Sequence, residues 1–145
     1  MTSVVWAEPF FESALFSEVI KKDFGVENNT LFIYNQLIQP GHEMPLTPNQ
    51  TVVYAYSIID LRSGPMVLEV APGILGLFTD MWQRGTEDPG IIGPDKGKGG
   101  KYLVVPPRYE GEIPEGYFVI RAHGYLNNFM QRRYTTAEHS KVAAT

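Results

Sequence analysis

The chain has 145 residues, of which 43% are hydrophobic and 19% are charged, a composition that excludes a wholly disordered protein and fits one domain with its own core. It contains no cysteine, which excludes disulfides, thiol catalysis and thiolate metal sites. The net charge is −4 and there is no dense basic stripe, so a nucleic-acid partner is not expected.

The beginning of the sequence has no basic region followed by an apolar stretch, so it does not resemble a secretory signal. No run approaches the roughly 20 apolar residues that a membrane-spanning helix requires. We therefore expect a soluble protein with no membrane partner, and a cytoplasmic one if Met1 is the native start.

Residues 8–23 are predicted to form a helix, with Pro9 in its first turn and two lysines near the negative end of its dipole. Apolar residues recur at every fourth position along it. This spacing predicts an amphipathic helix that packs on a sheet and carries an apolar stripe of Phe11, Leu15 and Val19.

After the helix the hydrophobic period shortens to two, which predicts strands. They cover residues 31–34, 52–59, 66–71, 74–83, 101–105 and 117–122, and a glycine-rich loop covers 84–100. Residues 124–134 suit either a strand or an irregular arm, and Thr136 could cap a last helix that the end of the chain truncates. The pattern predicts a mainly β, sandwich-like antiparallel domain over residues 1–145; the alternative is an α+β domain with a single curved sheet.

Two candidate ligand motifs fail on their spacing. Residues 93–101 resemble a phosphate-binding loop, but Lys101 is followed by a tyrosine and no helix begins there. The three histidines, His42, His123 and His139, lie far apart in the sequence and none has a second ligand at metal spacing. We therefore predict neither a metal site nor a cofactor.

Asp80 is the most distinctive acidic residue because it shares a predicted strand face with Ile74, Phe78 and Trp82. A carboxylate on an apolar face needs a partner or contact with solvent. If it is buried beside tyrosines, it could act as a general acid or base. The structural alternative is that it accepts hydrogen bonds from the backbone or from an arginine.

Several short motifs are similar to those of a known family. They comprise Asn49, Tyr54 and the segments 60–62, 64–68, 80–83, 87–88, 95–103 and 106–107. Together they resemble the N-terminal domain of a mainly bacterial family of two-domain proteins, catalogued as domain of unknown function twelve-fifty-four. The resemblance extends over nearly the whole chain, and its most specific part is the run from Asp95 to Tyr102.

This resemblance implies a β-rich domain that is normally followed by a second, jelly-roll-like domain. It also implies that the chain is one part of a two-domain or split protein, with a second β domain, a second chain or a second copy as its partner. The sequence departs from the family pattern at Thr51 and Val52, where the family has an acidic residue and a hydroxyl residue.

From these observations we expect a small-molecule-binding domain, which could form part of an enzyme acting on an organic substrate. Asp80 is the candidate catalytic residue, and the candidate ligand-binding residues are Asn49, Tyr54, Tyr56, Trp82 and Arg132. The alternative is a non-catalytic assembly domain in which these aromatic residues belong to the core. A third hypothesis is anion binding by Lys96, Lys98, Lys101 and Arg108.

Overall fold

The structure is a computed structural model that describes residues 2–34, 37 and 49–134 of the chain. This part of the chain forms one helix and eight strands. They are α1 (Thr2–Phe24), β1 (Phe32–Ile33), β2 (Val52–Asp60), β3 (Met66–Val70), β4 (Leu75–Asp80), β5 (Gly85–Glu87), β6 (Gly100–Val105), β7 (Phe118–Arg121) and β8 (Leu126–Tyr134). The helix predicted to begin near Thr136 lies outside the described residues.

Two sheets make up the fold, and the prediction of a mainly β, sandwich-like domain with an N-terminal helix is confirmed. The larger sheet is antiparallel, with strand order β1-β2-β8-β4-β5, and the smaller has the order β3-β6-β7. One pair departs from the expected antiparallel arrangement, because β6 and β7 are parallel. The connection between them, residues 106–117, is long enough for the crossover that a parallel pair requires.

The main core lies between the two sheets. Phe78 and Phe129 come from neighbouring strands of the larger sheet, Tyr102 and Val104 come from the middle strand of the smaller one, and all four are buried. Burial of a large apolar side chain contributes roughly 1.5–3 kcal/mol. This core therefore holds the two sheets together and fixes the position of the strands that form the candidate site.

Helix α1 packs on the face of the larger sheet that points away from this core. Its contacts include Phe16, whose ring centroid lies 5.1 Å from that of Tyr56, and the buried Ile20. The helix begins six residues earlier than predicted, so Pro9 lies inside it and not in its first turn. The described helix is not apolar enough to span a membrane.

The predicted apolar stripe of α1 is not the face that packs on the sheet. Phe11 is 67% exposed and Leu15 is 54% exposed, whereas Ser13 and Ile20 are buried. The side-chain amide of Asn128 donates a hydrogen bond of 3.3 Å to the Ser13 hydroxyl. The helix face that packs on the sheet is therefore partly polar, and apolar periodicity alone could not identify this face.

The ambiguous segment 124–134 contains the central strand of the larger sheet. β8 pairs with β2 on one side and with β4 on the other. The loop predicted over 84–100 also includes a short strand, β5, which pairs with β4. The sequence did not single out β8 as a strand because it is rich in asparagine, glutamine and arginine, whereas strands with two neighbours usually read as apolar or alternating.

Candidate functional site

A cavity of about 350 Å³ opens at one end of the larger sheet. A volume of this size lies within the range of ~300–1,000 Å³ that is typical of small-molecule sites. Most of its wall is apolar, and the apolar lining residues are Ile33, Val53, Ala55, Ala71 and Ile74. Because Ile74 also belongs to the core between the sheets, the cavity continues the space in which that core lies.

Strand register decides which side chains share the cavity face. Val53 pairs with Arg133, and Ala55 pairs with Gln131 on one side and with Ile33 on the other. Directly paired residues project from the same face of a sheet, and alternate residues along a strand do so too. These five side chains therefore lie on one face, the face that carries buried core residues further along β2 and β8.

Tyr54 and Arg132 are also paired with each other, but their side chains belong to the opposite face of the sheet. Both residues contribute to the lining of the cavity, at its border with the side of the sheet that carries α1. Two of the residues predicted to bind a ligand are therefore next to the cavity. Whether they bind one stays a prediction.

The polar groups of the cavity are concentrated on β8, where Gln131 and Arg133 accompany Tyr134 at the strand end. None of the described lining residues is acidic. Within residues 2–34, 37 and 49–134, the side chains of Gln131 and Arg133 have no hydrogen-bond or ion-pair partner. A ligand could use both groups without displacing an existing contact.

Three tyrosines pack together on the sheet face that carries α1. The rings of Tyr54 and Tyr56 are stacked with centroids 6.0 Å apart, and the ring of Tyr34 lies edge-on to Tyr56 at the same distance. Burial raises the pKa of the Tyr56 phenol, the other two phenols raise it further, and Arg132 opposes them. Tyr56 is therefore a protonated member of a packed cluster.

Asn49 lies in the turn before β2 and touches this cluster. Its backbone N–H donates to the Tyr54 hydroxyl at 3.1 Å. Its side-chain oxygen accepts hydrogen bonds from the backbone N–H and the hydroxyl of Thr51, at 2.8 and 2.7 Å. The Asn49 side chain thus closes a local turn of the kind that asparagine commonly forms.

Asp80 lies at the other end of the larger sheet and is only 2% exposed. Its carboxylate accepts hydrogen bonds from the backbone N–H groups of Trp82 and Arg84, at 2.9 and 3.0 Å, and from the Arg84 guanidinium at 2.6 Å. These contacts close the turn between β4 and β5. They correspond to the structural alternative considered for Asp80, and they account for its burial.

The structure does not bring Asp80 and Trp82 to the tyrosines. Asp80 pairs with Asn127, five residues along β8 from Arg132, a separation of about 17 Å at the usual rise per residue. It also projects from the core side of the sheet, whereas Tyr54 projects from the helix side. The Trp82 ring instead contacts Phe10 of α1, with centroids 4.9 Å apart. The expected gathering of aromatic residues around Asp80 is therefore not present.

In the part of the chain that the structure describes, no three histidine or carboxylate side chains form a group that could hold a metal ion. His123 lies 3.4 Å from the Thr86 hydroxyl, measured from its Nδ1 atom. His42 and His139 lie outside the described residues.

Comparison with known proteins identifies the family. A family model described as "Protein of unknown function (DUF1254)" matches residues 28–145. The chain belongs to this family. No curated protein matches it.

Among solved structures, the crystal structure of the VPA0106 protein from Vibrio parahaemolyticus is similar, with a TM-score of 0.69 and 19% sequence identity. That likeness, which is one of fold, covers 97% of this chain and 33% of the other, so the chain spans about a third of that neighbour's length.

The motif that carried most of the resemblance to DUF1254 has a structural role that the sequence did not reveal. Asp95 is buried, and its carboxylate accepts hydrogen bonds from the Tyr102 hydroxyl at 2.6 Å and from the backbone N–H groups of Gly90 and Gly99, at 2.7 and 2.9 Å. Burial raises the pKa of the Asp95 carboxyl, but these hydrogen bonds outweigh it and hold the pKa below its ordinary value.

These hydrogen bonds hold the glycine-rich loop in place around the carboxylate of Asp95. Gly99 has a φ of +75°, and a Cβ there would lie only 2.6 Å from the Val70 carbonyl oxygen, so the position requires glycine. The lysines of the same segment are exposed. The spacing of glycines that resembled a phosphate loop is thus explained by the close approach of the loop to β3.

The departure from the DUF1254 pattern at Thr51 falls in the turn that Asn49 closes. Thr51 supplies both hydrogen-bond donors to the Asn49 side chain, while Val52, the next residue, is buried as the first residue of β2. Both residues therefore help to start the strand that lines the cavity.

Proposed function

We propose that this DUF1254 domain binds a small organic molecule in the cavity at the end of the larger sheet. The observation that carries the proposal is the cavity itself: about 350 Å³, walled by apolar side chains, with a few polar groups on one strand. Small-molecule sites have this composition because apolar walls supply affinity and sparse polar groups orient the ligand.

The proposal concerns binding and assigns no catalytic residue. Asp80, the candidate general acid or base, is enclosed by three hydrogen bonds and does not line the cavity. A general base must come within about 3 Å of the proton that it removes. A ligand in this cavity would lie far from the Asp80 carboxylate, so its acid–base role is not part of the proposal.

Ala55→Phe tests the proposed site, because a phenyl ring at this position would occupy part of the cavity and cover the apolar wall beside Gln131. We expect a panel of small organic fragments to shift the amide NMR signals of Val53, Ala55 and Ile74 in the wild-type chain. In Ala55→Phe the same fragments should leave these signals unchanged. The ring enters existing space, so the thermal unfolding midpoint should stay close to that of the wild type.

Val67→Phe is the matched control, because Val67 is exposed on β3 and does not line the cavity. This variant should bind fragments as the wild type does. If no fragment shifts the cavity signals of the wild type, or if folded Ala55→Phe binds the same fragments equally well, the proposed site is wrong.

A second candidate function, assembly through self-association, is favoured by the exposed apolar side chains of α1. Trp6 is 77% exposed, and Phe11 and Leu15 are exposed one turn apart on the same helix. Contiguous exposed apolar residues mark interaction surfaces more often than isolated ones do. We expect sedimentation to detect an oligomer that Phe11→Ser combined with Leu15→Ser dissociates; a monomeric wild type at high concentration would exclude this function.

A further inference from the structure

We infer that the ligand of this cavity is an organic acid, whose anionic group is bound by Arg133 with Gln131 and whose apolar part lies against Val53 and Ala55. The inference rests on the proposed binding function and adds the chemical class of the ligand. It follows from three features of the described lining residues: the sign of their charge, the donors on β8 that have no partner among them, and the apolar side chains next to those donors.

The described lining of the cavity carries positive charge, although the protein as a whole carries −4. Arg132 and Arg133 both belong to the lining, and none of the described lining residues is acidic. A guanidinium that has no carboxylate partner keeps its attraction for an anion, and Arg133 is exposed, so its guanidinium is accessible to a ligand. The cavity therefore favours a ligand with a negative group over a neutral or cationic one.

Arg133 is the better placed of the two arginines to hold the anion. It pairs with Val53, so its side chain projects from the cavity face, whereas Arg132 pairs with Tyr54 on the opposite face. Its planar guanidinium presents two parallel N–H groups, which match the two oxygens of a carboxylate. Gln131 lies on the same face two residues earlier and offers its amide N–H₂ as a further donor.

The apolar wall indicates an organic acid and argues against a small inorganic anion. Val53 and Ala55 flank these donors on the paired strand, and Ile33 extends the apolar surface beyond Ala55. Ile74, which precedes the residue paired with Arg132, adds apolar surface on the other side of β8. An ion such as phosphate would leave this surface in contact with water, whereas an alkyl or aryl group would cover it. Each buried methylene group contributes about 0.8 kcal/mol.

Octanoate and octanamide provide the direct test, since they share an alkyl chain and differ mainly in charge. Isothermal titration calorimetry of the full chain should show octanoate binding about tenfold more tightly than octanamide, the effect expected of one charge-assisted hydrogen-bonded pair. Arg133→Gln should bring the two affinities to within about twofold of each other. Inorganic phosphate should bind more weakly than octanoate.

Arg121→Gln is the charge-matched control, because Arg121 is exposed on β7 and does not line the cavity. It should keep the preference for octanoate. Equal binding of octanoate and octanamide by the wild type would overturn the inference and leave the proposed function standing. A loss of preference in Arg121→Gln as large as in Arg133→Gln would also overturn it. Failure of both compounds to bind would count against the proposed function and the inference together.

Discussion

The two halves of β8 lie in different surroundings, although they belong to one strand that pairs with β2 along its whole length. From Asn127 to Phe129 the strand borders the closed end of the space between the sheets, where Phe129 and Asn127 are fully buried. From Gln131 to Tyr134 it borders the open end, which is the cavity. Pairing with β2 is continuous, whereas pairing with β4 ends at Arg132, so one strand borders a packed core at one end and a concave surface at the other.

The two ends differ in how their polar groups are used. At the closed end, the buried Asp80 carboxylate has three donors, and the amide N–H₂ of Asn127 donates to the Gly124 carbonyl at 2.8 Å. The side-chain oxygen of Asn127 is buried without a hydrogen-bond partner among the described residues. At the open end, within the described residues, Gln131 and Arg133 have no partner. Most buried polar groups in folded proteins have hydrogen-bond partners. Polar groups without partners on a concave surface are free to meet a ligand.

The largest difference between the two ends should appear in stability. Phe129→Ala at the closed end should lower the free energy of unfolding by ~3–5 kcal/mol, because it leaves a cavity in a packed core. Arg133→Ala at the open end should change it by less than about 0.5 kcal/mol. Urea unfolding followed by circular dichroism measures both. Similar losses in the two variants would mean that the ends are not distinct.

A somewhat smaller effect is expected for Asp95→Asn, which weakens the hydrogen bonds that anchor the glycine-rich loop beside Ala71 and Ile74, two residues of the cavity wall. The free energy of unfolding at pH 7 should fall by ~2–3 kcal/mol, since hydrogen bonds to a charged group are the stronger ones. The measurement is chemical unfolding at a series of pH values.

The pH dependence of this effect has a definite sign. The pKa of Asp95 is lower in the folded chain than its ordinary value of 3.8, so near that pH the folded state binds fewer protons than the unfolded state. The contribution of Asp95 is therefore present above pH 3.8 and lost as the pH falls through the folded pKa. The difference in stability between wild type and Asp95→Asn should shrink in acid; a difference that stays constant would argue against the charged network.

A smaller loss than that of Asp95→Asn is expected for Asp80→Asn. The variant keeps an oxygen for the backbone donors but loses the charge that faces Arg84, whose own side chain is largely exposed. We expect a loss of roughly 1–2 kcal/mol in unfolding free energy. Fragment affinity at the cavity should be unchanged. A loss of ligand binding or turnover in the folded variant would show that Asp80 takes part in the site. The two ends of β8 would then not be functionally distinct.

The fold could be predicted from the sequence wherever hydrophobic alternation is strong. β2 was predicted to within a residue, because large side chains alternate with smaller ones along it and each face packs on a different layer. The sequence of β8 is ambiguous, because its polar residues do not follow a core pattern. The packed face of α1 is not predictable for a related reason. Ser13 is buried on that face and accepts a hydrogen bond from Asn128, and an apolar stripe cannot indicate such a contact.

The candidate site was only partly predictable. Asn49, Tyr54, Tyr56 and Arg132 do lie together, because Tyr54 is central to the strand pairing that joins them. Asp80 was grouped with them on the assumption of a shared face, which depends on strand order and register. Gln131 and Arg133, which face the cavity, were not selected. The signal that could have identified them is a run of polar residues in a segment that otherwise suits a strand.

The central position of β8 also has a consequence for how the chain folds during synthesis. Both of its neighbours, β2 and β4, precede it by many residues, and neither pairs directly with the other. Until β8 leaves the ribosome, each of these strands has an unpaired inner edge, and contacts so distant in sequence form slowly. The newly made chain therefore passes through a stage in which β1-β2 and β4-β5 are separate, and their unpaired edges can pair with other strands. The strand that ends this stage, β8, also supplies the arginines of the cavity.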